Sequence, residues 1–194
     1  QTIVSGIPSY TLRRTGFEGT TDDNWSWTPS SLAVNLGPRK DAITGQTGDY
    51  ALKLTGSQAG NEDPVILFDN VVIPDDAENI ELSIAYAASG VDANDDLYVA
   101  VSYDNGATWE TAVKLVDGYN GFNLNFGATS SADRTPTLAN PYVLAIQDDT
   151  AQVRVRITYD EAAGNDNRFD RYYIDEVKLV AGIDLPTVSF ASAR

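Results

Sequence analysis

Apolar residues recur at every second position in segment after segment of this chain, which is the spacing of a strand with one buried face. Tyr50, Leu52 and Leu54 alternate with Ala51 and Lys53. The pattern returns at Ile80, Leu82, Ile84 and Tyr86, and again at Leu97, Val99, Val101 and Tyr103. It is clearest where Val153, Val155, Ile157 and Tyr159 share one face and Gln152, Arg154, Arg156 and Thr158 share the other, so that strand has one wet side. Sustained alternation predicts long strands near residues 80–87, 97–103, 109–115, 151–159 and 172–180. A period of 3.6 is hard to find anywhere.

Turn-forming clusters separate these runs: Thr47-Gly48-Asp49, Pro74-Asp75-Asp76, Asp104-Asn105-Gly106 and Gly164-Asn165-Asp166-Asn167. Roughly ten strands joined by short turns, with no helices between them, predict an all-β fold, an antiparallel two-sheet β-sandwich of jelly-roll type. No fixed repeat period supports a propeller or a solenoid. Residues 1–9 hold Gly6 and Pro8 without alternation and read as a linker, residues 10–182 as the sandwich, and residues 183–194 as a connector opened by Ile183-Asp184-Leu185-Pro186.

Charge and composition narrow the function. Thirteen lysines and arginines face 28 aspartates and glutamates, a formal charge of −15 that repels phosphate backbones and anionic lipid, so nucleic acid is not an expected partner. The same excess suits either cation binding or a solvated acidic surface. No stretch of about 18 apolar residues predicts membrane insertion. The chain has no cysteine and no histidine, which removes disulfides, Ser-His-Asp and Cys-His catalysis and His-ligated zinc. Phosphate-cradling glycine loops are missing as well. A carboxylate pair suffices for glycoside hydrolysis, yet no pair stands out among so many acids, so no enzyme activity is expected. The absence of methionine, together with a start at Gln1, reads as a processed protein or a piece of a longer one.

Several short constellations carry chemistry. Ser102-Tyr103-Asp104-Asn105-Gly106-Ala107-Thr108-Trp109 matches the Asp-box pattern S-x-D-x-G-x-T-W of sialidase-like propellers; occurring once, it reads as a hairpin staple. Trp25 and Trp27 share a face of an extended segment and serve either as a platform for sugar rings or as core; Tyr119 and Phe122, beside Gly118 and Gly121, carry the same two readings. Parity places Asp175 with Val177 and Leu179 on a core face, where a carboxylate needs compensation from a calcium ion, from Arg171 or from a backbone amide. The acidic stretch containing Asp92, Asp95 and Asp96 offers ligands for another ion, or a solvated turn.

Thr15-Gly16-Phe17-Glu18-Gly19 followed by Trp25 resembles the opening of MAM-like jelly rolls, cleaved-adhesin domains and several families of carbohydrate-binding modules. Tyr173-Ile174-Asp175-Glu176-Val177-Lys178-Leu179 resembles their closing strand, commonly I-D-D-V-x-L, with Glu176 as a departure at the second acid. The hairpin at Asp104-Asn105-Gly106 is similar to their D-G-G-x-T-W turn. The resemblance implies a structural calcium held by Glu18 and Asp175 with backbone carbonyls. It further implies a non-catalytic adhesive or carbohydrate-binding module of a larger secreted or bacterial cell-surface protein, whose partners are a glycan or extracellular-matrix ligand and other domains of the same polypeptide. A structural spacer and a polysaccharide-active enzyme are the alternatives. Pro186-Thr187-Val188-Ser189-Phe190-Ala191-Ser192 resembles the first strand of a Calx-beta module.

Overall fold

A computed structural model describes residues 9–29, 34–38, 48–55, 63–119, 122–127, 139–160 and 170–183. The expected N-terminal linker up to residue 8, the Gly164–Asn167 turn and the Calx-beta-like tail lie outside the described residues. Among those described there is no helix, and the strands form two antiparallel sheets.

The larger sheet is built on two long neighbours, β7 (Ala77–Val91) and β13 (Arg171–Ile183). On the far side of β13 lie β1 (Ser9–Thr15), opposite its C-terminal half, and β4 (Tyr50–Thr55), opposite its N-terminal half, with β3 (Val34–Pro38) outside β4. On the far side of β7 lie β10 (Phe122–Leu124) and β11 (Tyr142–Ala145). The smaller sheet runs β2 (Trp27–Pro29), β5 (Val65–Phe68), β12 (Gln152–Asp160), β8 (Asp96–Ser102) and β9 (Val113–Val116), and β6 (Val71–Val72) also pairs with β12.

The alternation dictates the packing between the sheets. Leu82, Ile84 and Tyr86 of β7, Leu97 and Val99 of β8, and Val153, Val155, Ile157 and Tyr159 of β12 are all fully buried in one core. The opposite residues Gln152, Arg154, Arg156 and Thr158 are half-buried, which leaves the outer face of the smaller sheet partly wet. Tyr159 and Tyr172 meet edge to face, 5.0 Å between centroids, and Tyr172 donates its hydroxyl to the Asp95 carbonyl at 2.6 Å, so a buried phenol keeps a partner. The outer face of the larger sheet carries a separate small cluster of Ala51, Ala87, Phe126 and Tyr173.

One predicted strand is shorter than its alternation. Of residues 109–115, only those from Val113 onward pair. Glu110 still donates to the Val101 carbonyl, but the β8–β9 ladder then shifts register between Leu97 and Tyr98.

Candidate functional site

The first and last strands meet at a break in the larger sheet. β1 pairs with β13 as far as Thr15 opposite Val177, and β4 takes over with Leu52 opposite Ile174, so Asp175 and Glu176 lie at the handover. The loop after β1 is tied by Asp23, whose carboxylate accepts from the amides of Gly16 (2.6 Å) and Gly19 (2.7 Å). Glu18, on that loop, accepts from the amides of Asp49 (3.0 Å) and Tyr50 (2.8 Å) at the start of β4. Gly48 is required there, because its φ is +71° and a Cβ would collide with the Glu18 carboxylate.

Asp175 is buried, at 1% exposure, but it does not share the core face of Val177 and Leu179 that strict alternation predicts. The ladder with β7 is continuous through Asp175 opposite Ala85 and then slips by one residue, with Glu176 at a φ of +48°. This bulge places Ile174 and Val177, three apart, in the same core, and leaves Asp175 on the other face with Tyr173. Asp175 accepts the Glu176 amide at 2.7 Å, a backbone donor of the kind the sequence allowed. Glu176 binds Arg14 through two bonds, of 2.5 and 3.1 Å, and Lys178 at 2.6 Å. Burial pushes its carboxyl up, and the two cations outweigh that and hold it below the usual range.

The resemblance implies a calcium ion held by Glu18, on the loop after β1, and Asp175, on β13 at this break. Both Glu18 oxygens accept amides, of Asp49 and Tyr50, and Asp175 accepts that of Glu176, so a calcium ion would share these carboxylates with backbone donors. No three Asp, Glu, His or Cys side chains converge as a metal cage among the described residues, so carbonyls would complete any shell.

The other predicted positions separate. Asp96 accepts from Tyr98 (3.0 Å), Lys114 (2.6 Å) and the Gly118 amide (2.9 Å), and Asp95 is fully buried, so this stretch is not a solvated turn. Asp92 receives the Asp95 amide on its carbonyl. Trp25 is 3% exposed, packs on Phe68 at 5.0 Å and donates to the Asp69 carbonyl, so it is core and not a sugar platform. Trp27 is half-buried against Phe17, while Tyr119 is exposed. Phe122 stands opposite Val91 in β10, and its side chain is outside the described residues.

The Asp-box segment is a hairpin staple. Ser102 donates to Asp104 at 2.7 Å and accepts from the Gly106 amide at 2.7 Å; Asp104 also accepts the Thr108 amide (2.8 Å) and hydroxyl (2.6 Å). Asn105 and Gly106 take the positive φ values of 60° and 91° that this turn needs. The Thr108 hydroxyl and amide, with the Ser102 hydroxyl, hold the Asp104 carboxyl down to about 2.

Sequence reasoning missed a cleft on the outer face of the smaller sheet. It has a volume of about 220 Å³ and is lined by Asp63, Tyr98, Ala100, Ala112, Arg156, Thr158 and Asp160. Register explains the gathering, since Arg156 stands opposite Ala100 and Thr158 opposite Tyr98. The Arg156 guanidinium lies 4.4 Å from the Trp109 ring centroid, and Lys114 lies 5.6 Å from that of Tyr98. Burial, and then the neighbouring Asp63, push the Asp160 carboxyl up. Chemically, the cleft offers a ring face, a guanidinium donor and two carboxylate acceptors. The available signal was Tyr98, an aromatic on the wet side of a strand whose other face is core.

Among solved structures, the chain is similar to the K2 cleaved adhesin domain of Lys-gingipain, with a TM-score of 0.50 at 14% identity over 88% of this chain and 97% of that one. The fold is a jelly-roll β-sandwich. It is also similar to TmCBM61 in complex with β-1,4-galactotriose (TM-score 0.44, 15% identity, 80% and 87% covered). A third neighbour is the C-terminal family 22 carbohydrate binding module of Clostridium thermocellum Xyn10B (TM-score 0.41, 16% identity, 89% and 94% covered). No protein-family model and no curated protein matches the chain.

Proposed function

We propose that this domain is a non-catalytic glycan-binding module of a secreted or cell-surface protein, and that it takes a neutral sugar in the cleft of the smaller sheet. The observation that carries the reading is the convergence of Tyr98, Arg156, Asp63 and Asp160 in one cleft on a sheet face that the core does not use. A sugar ring has an apolar C–H face that packs on an aromatic ring, and hydroxyls that donate to carboxylates and accept from a guanidinium. The acids favour a neutral ligand, because a uronate or sulfate would meet Asp63 and Asp160 in a chain of net charge −15. The jelly-roll fold is compatible with this reading and does not by itself select a ligand.

Calcium bound by Glu18, Asp175 and backbone carbonyls would join the first strand to the last, a structural role remote from the cleft. Purified domain screened against immobilised neutral and acidic polysaccharides should retain neutral ones and lose them in Tyr98→Ala. Failure to bind any glycan favours the spacer reading. Depolymerisation by the wild type that is lost in Asp160→Asn would make the cleft an active site instead.

A further inference from the structure

We infer that the hairpin from Asp104 to Trp109 is a positioning arm of the cleft, holding the Trp109 indole so that it fixes the Arg156 guanidinium in the orientation that donates to a bound sugar. The inference rests on the glycan reading of the cleft given above.

Arg154 and Arg156 are two apart on β12 and share its outer face. Arg154 roots the hairpin: its Nε donates to the Phe68 carbonyl and its Nη1 to the Asn105 carbonyl, both at 3.2 Å. The turn packs closely on both partners, since a Cβ on Gly106 would stand 3.4 Å from Arg154 Nη1 and 3.4 Å from Trp109 Cζ2. The bonds among Ser102, Asp104, Gly106 and Thr108 then fix where the chain delivers Trp109. Arg156 receives the ring face at 4.4 Å, and among the described residues no carboxylate forms an ion pair with it. A guanidinium on a long side chain loses much rotamer freedom when it binds a ligand. Stacking on an immobilised indole removes that freedom beforehand, and because it engages the guanidinium's face, it leaves hydrogen bonding to the in-plane N–H edges of a residue that lines the cleft. The Asp-box segment thus gains a role that a bare turn would not have: Trp109 acts through Arg156 as a positioning residue.

The test has two arms. In the first, the Arg156 Nε–H resonance is recorded without ligand. It should show an upfield ring-current shift in the wild type and in Trp109→Phe, and lose it in Trp109→Leu. Absence of the shift in the wild type overturns the inference whatever the glycan result.

In the second arm, calorimetric titrations use β-1,4-galactotriose, xylohexaose and the β-1,3-1,4-mixed-linked tetrasaccharide as probes. Trp109→Leu should weaken binding by about tenfold, Trp109→Phe should restore most of it, and in an Arg156→Ala background Trp109→Leu should have no further effect. Equal loss in both backgrounds, or unchanged affinity in Trp109→Leu with a native melting curve, overturns the positioning role. Failure of the wild type to bind any of the three counts against the glycan reading, and the resonance arm still decides whether the indole holds Arg156.

Discussion

Single residues in this domain show how local chemistry decides a backbone path. Asp104 is held at about 2, below an ordinary aspartate at 3.8, so it favours the folded state above that ordinary value. Its contribution is lost as pH falls from near 4 through about 2. Thermal unfolding of the wild type and of Asp104→Asn across this window should therefore converge at the acid end; a constant gap would show that the carboxylate charge is irrelevant to the turn. Gly118 illustrates a different constraint. A Cβ there would overlap the backbone carbonyl oxygens of Asp92 and Asp95, and Asp96 accepts the Gly118 amide, so the two segments cannot separate without breaking that bond. Gly118→Ala should cost about 2 kcal/mol in denaturant unfolding. An alanine variant as stable as the wild type would mean that this close approach is dispensable.

At the scale of the element, β13 is the strand to which both ends of the domain are fastened, and its bulge governs how. Glu176 at positive φ turns Asp175 away from the core and aims its own carboxylate at Arg14 of β1 and Lys178. Glu176→Gln keeps the shape and removes the charge. It should lower stability by about 1 kcal/mol and speed amide exchange in β1 more than in β12, whereas uniform acceleration would argue against a local latch. The same strand shows what can be read in a sequence. Val153, Val155, Ile157 and Tyr159 announce β12 because every inward residue is apolar and no bulge interrupts them. Asp175 was legible as buried, but its face was not, because the slip occurs at a glutamate with no glycine to mark the positive φ. Trp25 and Trp27 could not be divided between core and surface, since burial depends on what the opposite sheet brings to them. The cleft was illegible for a related reason. Asp63, Ala112 and Asp160 lie far apart in the chain, and only the register of β5, β8, β9 and β12 brings them around Tyr98 and Arg156.

For the whole molecule, the two sheets divide the labour. The larger sheet joins the chain's first and last described strands and covers part of its outer face with Phe126 and Tyr173, while the smaller sheet carries the cleft on its outer face. An ion that binds only the folded form stabilises it by about 2.7 kcal/mol at a hundredfold excess over its dissociation constant. If calcium occupies the break between β1 and β4, chelation should lower the melting temperature, and Asp175→Asn should blunt that response. Identical melting in excess calcium and excess chelator, with no retained metal, would remove the ion from the account. The most direct test of the central claim, that the glycan sits on the smaller sheet, is a chemical-shift map of amides during titration with a retained neutral oligosaccharide. Perturbations should concentrate on Tyr98, Ala100, Ala112, Arg156 and Thr158; perturbations confined to the larger sheet around Ala51, Ala87, Phe126 and Tyr173 would contradict it.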